Sequence, residues 1–197
     1  HCGSRCGWGE AAVDGVPFYT SETSETVLSV GQSVLAPLMR SQAWSHPREL
    51  AEAMGAARGH SFAKAAFESV LWDLYGQSKE TSVAHLLADD PSRLQPWVEV
   101  GPSVGIKANP DRLVEAVGRE LAAGYRRVKV KVCPGKDEEY LDAVRAAYPD
   151  ITLMADANAA YQPEDVERLA HWDRYGLVMI EQPLDHDDLW FHRQLCE

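Results

Sequence analysis

Residues 126–132 carry the sequence RRVKVKV, in which valine and lysine alternate. Side chains of a β-strand point alternately to opposite faces, so this pattern predicts a strand with its valines on one face and Lys129 and Lys131 on the other. A parallel strand that is covered on both faces is normally almost entirely apolar. The two lysines therefore indicate either an edge strand with hydrated side chains or a functional site, because burial of an ammonium group is costly.

Two later strands are predicted to end in an acidic residue. A largely apolar run at 151–155 is followed by Asp156, and a second run at 177–180 is followed by Glu181. From Lys131 to Asp156 and from Asp156 to Glu181 the spacing is 25 residues, which fits one strand and the helix that follows it. We therefore expect all three side chains at one level on neighbouring parallel strands, at the strand ends where α/β proteins bind ligands.

Strands and helices alternate throughout the second half of the sequence. The pattern predicts strands at 97–100, 126–132, 151–156 and 177–181, with helices that begin near residues 109, 137, 163 and 187. Successive βα units produce parallel strands with right-handed connections. The units fit either a doubly wound open sheet or half of an eight-unit barrel. The absence of a glycine-rich loop after the first strand disfavours a sheet that binds nucleotides.

The first half of the sequence is mainly helical. Helical patterns begin near residues 23, 47, 61 and 82, and the third helix is expected to stop at Gly76. The sequence GWGE at 7–10 is expected to be the end of a strand. The change of pattern near residue 96 predicts two domains, residues 1–96 and residues 97–197.

The composition is typical of a globular protein, with 45% hydrophobic and 25% charged residues. Nineteen Lys and Arg against thirty Asp and Glu produce a net charge of −11. This balance argues against nucleic acid or an anionic membrane surface as the main partner. No apolar run reaches the roughly 20 residues that a membrane-spanning helix needs.

The cysteines and the first residues bear on the compartment. Cys2, Cys6, Cys133 and Cys196 complete no zinc pattern, and we expect them to be free thiols. No signal peptide is visible, so we expect a cytoplasmic location. The sequence has no initiator methionine, and we expect it to be part of a longer chain.

The charged strand ends are suited to one kind of chemistry. Two carboxylates on neighbouring strands repel each other unless a cation lies between them, and Mg²⁺ is the hard ion that oxygen ligands favour. A lysine beside this ion holds its proton less tightly and becomes a general base near neutral pH. Lys131, Asp156 and Glu181 are therefore typical of proton removal next to a carboxylate, with the metal stabilising the resulting enediolate.

Three motifs resemble the enolase superfamily, in its muconate-cycloisomerase-like branch. They are Lys129-Val130-Lys131, Asp156-Ala157-Asn158 and the sequence IEQP at 180–183. Within that branch the sequence is most similar to o-succinylbenzoate synthases that also act as N-acylamino acid racemases. Further similar stretches lie at 7–10, 17–22, 62–68 and 101–105.

The resemblance implies an α/β fold with two parts. Residues 1–96 would be an α+β capping domain that lacks its N-terminal part. Residues 97–197 would be the first half, about four βα units, of a TIM-type barrel. Half a barrel exposes two sheet edges, so we expect it to be unstable or to aggregate alone.

The resemblance also implies roles for individual residues of the barrel. Lys131 would be the acid/base lysine, and Lys129 would support its charge and position. Asp156 and Glu181 would be the first two Mg²⁺ ligands. Asn158 would be an amide beside the metal ligands or the substrate.

Three further residues are implied to contact the substrate. Ser103 would do so from the end of the first barrel strand. Phe18 and Tyr19 would lie on a loop of the capping domain that closes over the site. Packing of Phe18 and Tyr19 on the capping domain itself is an equal alternative.

The implied reaction is Mg²⁺-dependent removal of the proton α to a carboxylate of a small-molecule substrate, through an enediolate. It would be the o-succinylbenzoate synthase dehydration on the way to menaquinone, racemisation of an N-acylamino acid, or both. Muconate cycloisomerase and dipeptide epimerase remain alternatives, as does a truncated, non-catalytic relative. The family hints at a homo-oligomer.

The family also has a third acidic metal ligand and an opposing lysine on later strands. By the 25-residue period these would lie about one and two units beyond Glu181, past residue 197. The 197 residues alone are therefore expected to be inactive.

The histidines provide no convincing metal site. Of the seven, His186 lies nearest to a strand end, in the sequence DHDD at 185–188. Acidic residues in the first turn of a helix interact favourably with its dipole. We therefore interpret this stretch as a solvated helix start.

Overall fold

The structure is a computed structural model that describes residues 4–196. The chain forms two compact units, the first ending at Pro96 and the second beginning at Trp97. Each unit has its own cluster of buried apolar residues. Leu35, Leu50 and Met54 belong to the cluster of the first unit, and a larger cluster fills the second.

The first unit is built from helices at the predicted positions. They are α1 (Ser24–Val30), a π-helical turn (Gly31–Leu35), α2 (Ala36–Arg40), α3 (Pro47–Met54), α4 (Ser61–Lys79), α5 (Val83–Leu87) and a 3₁₀ turn (Pro91–Arg93). The hydroxyl of Thr23 accepts the Thr26 N–H at the start of α1. The buried Glu22 carboxylate accepts the N–H groups of Phe62 and Ala63 at the start of α4, 2.8 and 3.1 Å away.

Two glycine predictions in the first unit are wrong. Helix α4 passes through Gly76 and ends at Lys79, followed by Glu80 in the left-handed region at φ 54°. A Cβ on Gly76 would lie 2.9 Å from the Thr81 carbonyl oxygen, so this glycine permits close approach of the chain rather than a helix stop.

Residues 7–10 lie outside any strand. A Cβ on Gly9 would lie 1.9 Å from the Ala66 carbonyl oxygen, so this segment is glycine-rich because it packs on α4.

The second unit alternates strands and helices as predicted. Its order is β1 (Ser103–Val104), α6 (Pro110–Ala122), β2 (Arg127–Lys131), α7 (Glu138–Ala147), β3 (Thr152–Asp156), α8 (Val166–Ala170), β4 (Met179–Glu181) and α9 (Leu189–Cys196). Two 3₁₀ turns, Pro163–Asp165 and His171–Tyr175, flank α8. The strands form a parallel sheet in the order β1-β2-β3-β4, which confirms the α/β class.

The alternation in β2 separates two environments as the sequence predicts. Val128 and Val130 are fully buried, in one cluster with Leu113 of α6 and Leu141 of α7. The intervening lysines are partly exposed. The apolar face of the sheet is therefore covered by helices, and the opposite face of β2 carries the charges.

The predicted first strand, 97–100, is wrong. The strand that pairs with β2 is β1, in which Ser103 is opposite Lys129. Trp97, Val98 and Val100 are exposed. Their apolar pattern resembles a buried strand, but strand identity depends on a hydrogen-bonded neighbour, and β2 pairs with Ser103–Val104, which follow the predicted strand. Among the described residues, no helix has both the length and the apolar character needed to cross a membrane.

Candidate active site

The strand register brings the charged strand ends to one level. Lys131 of β2 is paired with Asp156 of β3, and Asp156 is paired with Glu181 of β4. This pairing confirms the arrangement that the 25-residue spacing predicts. The three residues lie at the carboxyl ends of their strands, the usual place of ligand sites in parallel α/β folds.

Asp156 lies at the centre of the charged cluster. Only 2% of its surface is exposed. Its Oδ2 atom lies 3.1 Å from Lys129 Nζ and 3.5 Å from Lys131 Nζ, and its Oδ1 atom accepts the Asn158 N–H at 3.1 Å. A buried carboxylate needs such partners, because an unpaired charge away from water is costly.

Lys129 bridges the two acidic residues. Its Nζ donates to Glu181 Oε2 at 2.7 Å and lies 3.1 Å from Asp156 Oδ2. The hydrogen bond to Glu181 raises the pKa of Lys129, and Asp156 raises it further, against the opposing effect of desolvation. Lys129 is therefore a stable cation, which suits a residue that holds carboxylates in place better than one that removes a proton.

Lys131 has a different environment from Lys129, although both point to the same face of β2. Its side chain is 37% exposed, against 22% for Lys129. Its Nζ donates to the side-chain oxygen of Asn158. A substrate could therefore approach Lys131 more readily than Lys129.

The remaining predicted residues lie at the edges of this cluster or in the other unit. Ser103 is exposed and opposite Lys129 in the register of β1 and β2. Phe18 and Tyr19 belong to the first unit, where they are 93% and 62% exposed. Such exposure is contrary to the alternative that Phe18 packs on its own unit.

One group of residues next to the site was not identified from the sequence. Asp137, Tyr161 and Arg168 form a polar cluster between the loops that follow β2 and β3. The sequence marked Asp137 only as a helix start, which it is, since its carboxylate accepts the Glu138 N–H at the start of α7. In the sequence, this cluster could have been recognised from an acidic residue and a tyrosine that lie on successive strand-to-helix loops.

The carboxylates of the site fit a hard divalent cation. Asp156 and Glu181 present oxygen atoms from adjacent strand ends, and the Lys129 ammonium lies within hydrogen-bonding distance of both. The pair therefore already accommodates positive charge between its members. Mg²⁺ binds one or two protein carboxylates and completes its shell with waters or substrate oxygens.

A second group of possible metal ligands lies on the surface. Asp185, His186 and Asp187 are all exposed and bring their ligand atoms within 4.8 Å of one another. His186 lies 3.2 Å from Asp185 and 3.3 Å from Asp187. The segment is exposed, as predicted, but α9 begins only at Leu189 and its first turn contains no acidic residue. Asp188 instead lies just before the helix, where its carboxylate accepts the Phe191 N–H.

Three of the predicted free thiols lie in the described residues. Cys6, Cys133 and Cys196 form no disulfide. Cys2 lies outside the described residues.

Both parts of the chain match models of known domain families. A model described as "Enolase C-terminal domain-like" matches residues 112–197. A model described as "Mandelate racemase / muconate lactonizing enzyme, N-terminal domain" matches residues 6–88.

Individual relatives extend this similarity over almost the whole chain. An o-succinylbenzoate synthase of Geobacillus kaustophilus is 42% identical over 98% of this chain and 51% of its own length. An N-succinylamino acid racemase of Thermus thermophilus is 36% identical over 96% of this chain and 50% of its own length. The crystal structure of an enolase-superfamily member from Listeria innocua is 35% identical, with a TM-score of 0.89, over 96% of this chain and 50% of that one. The chain thus spans about half the length of the relatives it matches.

Proposed function

Because the chain belongs to the enolase superfamily, we propose that the gene product containing it removes the proton α to a substrate carboxylate, with Lys131 as the acid/base group. The observation that carries this proposal is the alignment of Lys131, Asp156 and Glu181 at one level of the sheet. An amine beside a pair of carboxylates combines a proton acceptor with a site for a cation.

We assign the cation-binding role to Asp156 and Glu181, with Mg²⁺ as the proposed ion. When bound, the ion would stabilise the negative charge that develops on the substrate carboxylate. Lys129 remains protonated and fixes the two carboxylates relative to each other through its contacts at 2.7 and 3.1 Å.

The proton-transfer role of Lys131 follows from its access and its contacts. It is the more exposed of the two lysines, and its Nζ is oriented by the Asn158 amide oxygen and the Asp156 carboxylate. Orientation of this kind reduces the motion that the amine must make to reach a substrate proton. Ser103, Phe18 and Tyr19 remain proposed substrate contacts.

Two related reactions begin with this proton removal. One is dehydration to o-succinylbenzoate, a step of menaquinone biosynthesis, and the other is racemisation of an N-acylated amino acid. Relatives named o-succinylbenzoate synthase and N-succinylamino acid racemase, at 42% and 36% identity, support both. We propose a cytoplasmic enzyme that binds a small carboxylate, without nucleic acid or a membrane as partner, and that forms homo-oligomers.

The test is α-proton exchange of the gene product in deuterated water with Mg²⁺, measured by NMR of an N-succinylamino acid. Lys131→Ala should reduce exchange by about 10²–10⁴-fold, the usual contribution of a general base. Lys136→Ala is the matched control, because it removes a lysine from the loop after β2 that takes no part in the ion pairs of the cluster. Undiminished exchange in Lys131→Ala would contradict the assignment, and no exchange in the unmodified protein would favour a non-catalytic relative.

A further inference from the structure

The turn that carries Asn158 has an unusual backbone. Asn158 and Ala159 are consecutive non-glycine residues with φ angles of 44° and 59°. The left-handed region is costly for residues with a Cβ, although asparagine tolerates it better than alanine does. Two such residues in succession persist only where the surrounding structure holds them.

Main-chain hydrogen bonds hold one side of this turn. The N–H groups of Ala157 and Ala159 donate to the carbonyl oxygens of Glu181 and Gln182 at 3.0 and 2.7 Å. The Tyr161 N–H donates to the Pro183 carbonyl oxygen at 3.1 Å. These bonds attach the turn to the end of β4, but they do not attach it to β2, the strand that carries Lys131.

A side-chain contact provides the attachment toward β2. Tyr161 is 1% exposed, and its hydroxyl donates to Asp137 Oδ2 at 2.9 Å. The same oxygen accepts from Arg168 Nη1 at 2.8 Å. Asp137 follows Lys131, the last residue of β2, by six residues, and Tyr161 follows Asn158 by three. This contact therefore joins the chain after β2 to the turn after β3, close in sequence to the contact between Lys131 and Asn158.

The tyrosine ring is also fixed by its neighbours. The Trp172 ring packs edge-on against it with centroids 5.6 Å apart, and the Arg168 guanidinium lies 5.2 Å from its centroid. Burial and the nearby Asp137 carboxylate raise the pKa of Tyr161, so its hydroxyl remains a donor. Tyr161 therefore has a structural role, with its ring held by packing and its hydroxyl by the hydrogen bond to Asp137.

We propose that Tyr161 is a positioning residue that, through Asp137, holds the left-handed turn at 158–159 and thereby keeps the Asn158 side-chain oxygen on the Lys131 amine. This inference rests on the proposed function insofar as Lys131 transfers the proton. Tyr161 itself does not contact the reacting atoms. It acts by limiting the positions that Asn158, and hence Lys131, can adopt.

The test is Tyr161→Phe in the gene product, which removes the hydroxyl and keeps the buried ring. Tyr175→Phe is the matched control, because Tyr175 is a buried tyrosine of the same unit whose hydroxyl donates to the Glu138 carbonyl oxygen rather than to the Asp137 carboxylate. Loss of a hydrogen bond to a charged acceptor should increase amide hydrogen exchange of the 157–162 segment by about tenfold. Tyr175→Phe should leave that segment unchanged.

Two further readouts separate positioning from general stability. The NMR resonance of the Asn158 side-chain amide should shift in Tyr161→Phe and not in Tyr175→Phe, because its oxygen accepts from Lys131. The kcat of α-proton exchange should fall about tenfold with little change in KM. Asp137→Asn, which keeps an acceptor oxygen for the tyrosine, should produce a smaller change in all three measurements.

The measurements on Tyr161→Phe test whether Tyr161 positions Asn158. Unchanged segment exchange or an unchanged Asn158 resonance in Tyr161→Phe overturns the positioning role, whatever the activity. Changes in both with an unaffected kcat also overturn it, since Tyr161 would then be structural only. If the unmodified protein catalyses no α-proton exchange, the proposed function fails, while the two spectroscopic changes still support the coupling of Tyr161 to Asn158.

Discussion

Asp156 and Asp137 are both buried carboxylates, yet their surroundings differ in one important respect. In each, the Oδ2 atom is close to two donors: Lys129 and Lys131 for Asp156, and Tyr161 and Arg168 for Asp137. Lysine can release its proton when its environment changes, whereas arginine and a buried tyrosine keep theirs. The first arrangement is therefore suited to proton transfer and the second to fixed architecture.

The largest difference between the two carboxylates is expected in cation binding. Asp156→Asn should weaken Mg²⁺ binding about 100-fold or more, because it removes a charged oxygen ligand from a pair. Isothermal titration calorimetry of the gene product measures this affinity. Asp185→Asn is the control, since Asp185 belongs to the exposed surface group, and it should leave the affinity unchanged. Unchanged affinity in Asp156→Asn together with weakened binding in Asp185→Asn would place the ion at the surface group instead of at Asp156.

The second expected difference is in stability. Asp137→Ala leaves the Tyr161 hydroxyl without its acceptor, removes a partner of Arg168 and deletes the cap of α7. We expect the free energy of unfolding to fall by about 2–3 kcal/mol, reduced from the value for a fully buried pair because Arg168 can reach water.

Urea denaturation of the gene product measures this loss. Asp142→Ala, which removes an exposed carboxylate 3.8 Å from Arg174, should cost less than about 0.5 kcal/mol. Equal stability of the two variants would show that the Asp137 cluster contributes little to the architecture.

The smallest expected effect concerns Asp165, the second carboxylate on Arg168. The Gln162 N–H lowers the pKa of Asp165, and Arg168 lowers it further. A lowered pKa means that this carboxylate stabilises the fold above its ordinary value of 3.8 and loses that contribution as the pH falls below it. Asp165→Asn should therefore destabilise the protein by less than about 1 kcal/mol near pH 7, and the difference should shrink below pH 4. Urea titrations at several pH values measure the difference in free energy of unfolding between Asp165→Asn and the unmodified protein. A difference that increases as the pH falls would contradict the prediction.

Much of the second unit could be predicted from the sequence alone. The alternation in 126–132 identified β2 and its two faces, and the 25-residue period placed Lys131, Asp156 and Glu181 at one level. The predicted helix start near residue 109 was also correct, since Asn109 caps α6 and its side chain accepts the Arg112 N–H. These features depend on backbone preferences and on contacts within a few residues, which the local sequence encodes.

Other features depended on the tertiary structure. The bridge from Lys129 to both carboxylates, the left-handed turn at Asn158 and the contact between Tyr161 and Asp137 join segments that are far apart in the chain. The position of β1 likewise depended on which residues pair with β2. The role of Gly76 depended on the Thr81 carbonyl oxygen, which packs against it. Local sequence patterns indicate which side chains are apolar and buried and which are charged. Only packing decides which partners they meet, because a hydrogen bond or an ion pair requires a particular distance between atoms of separate elements.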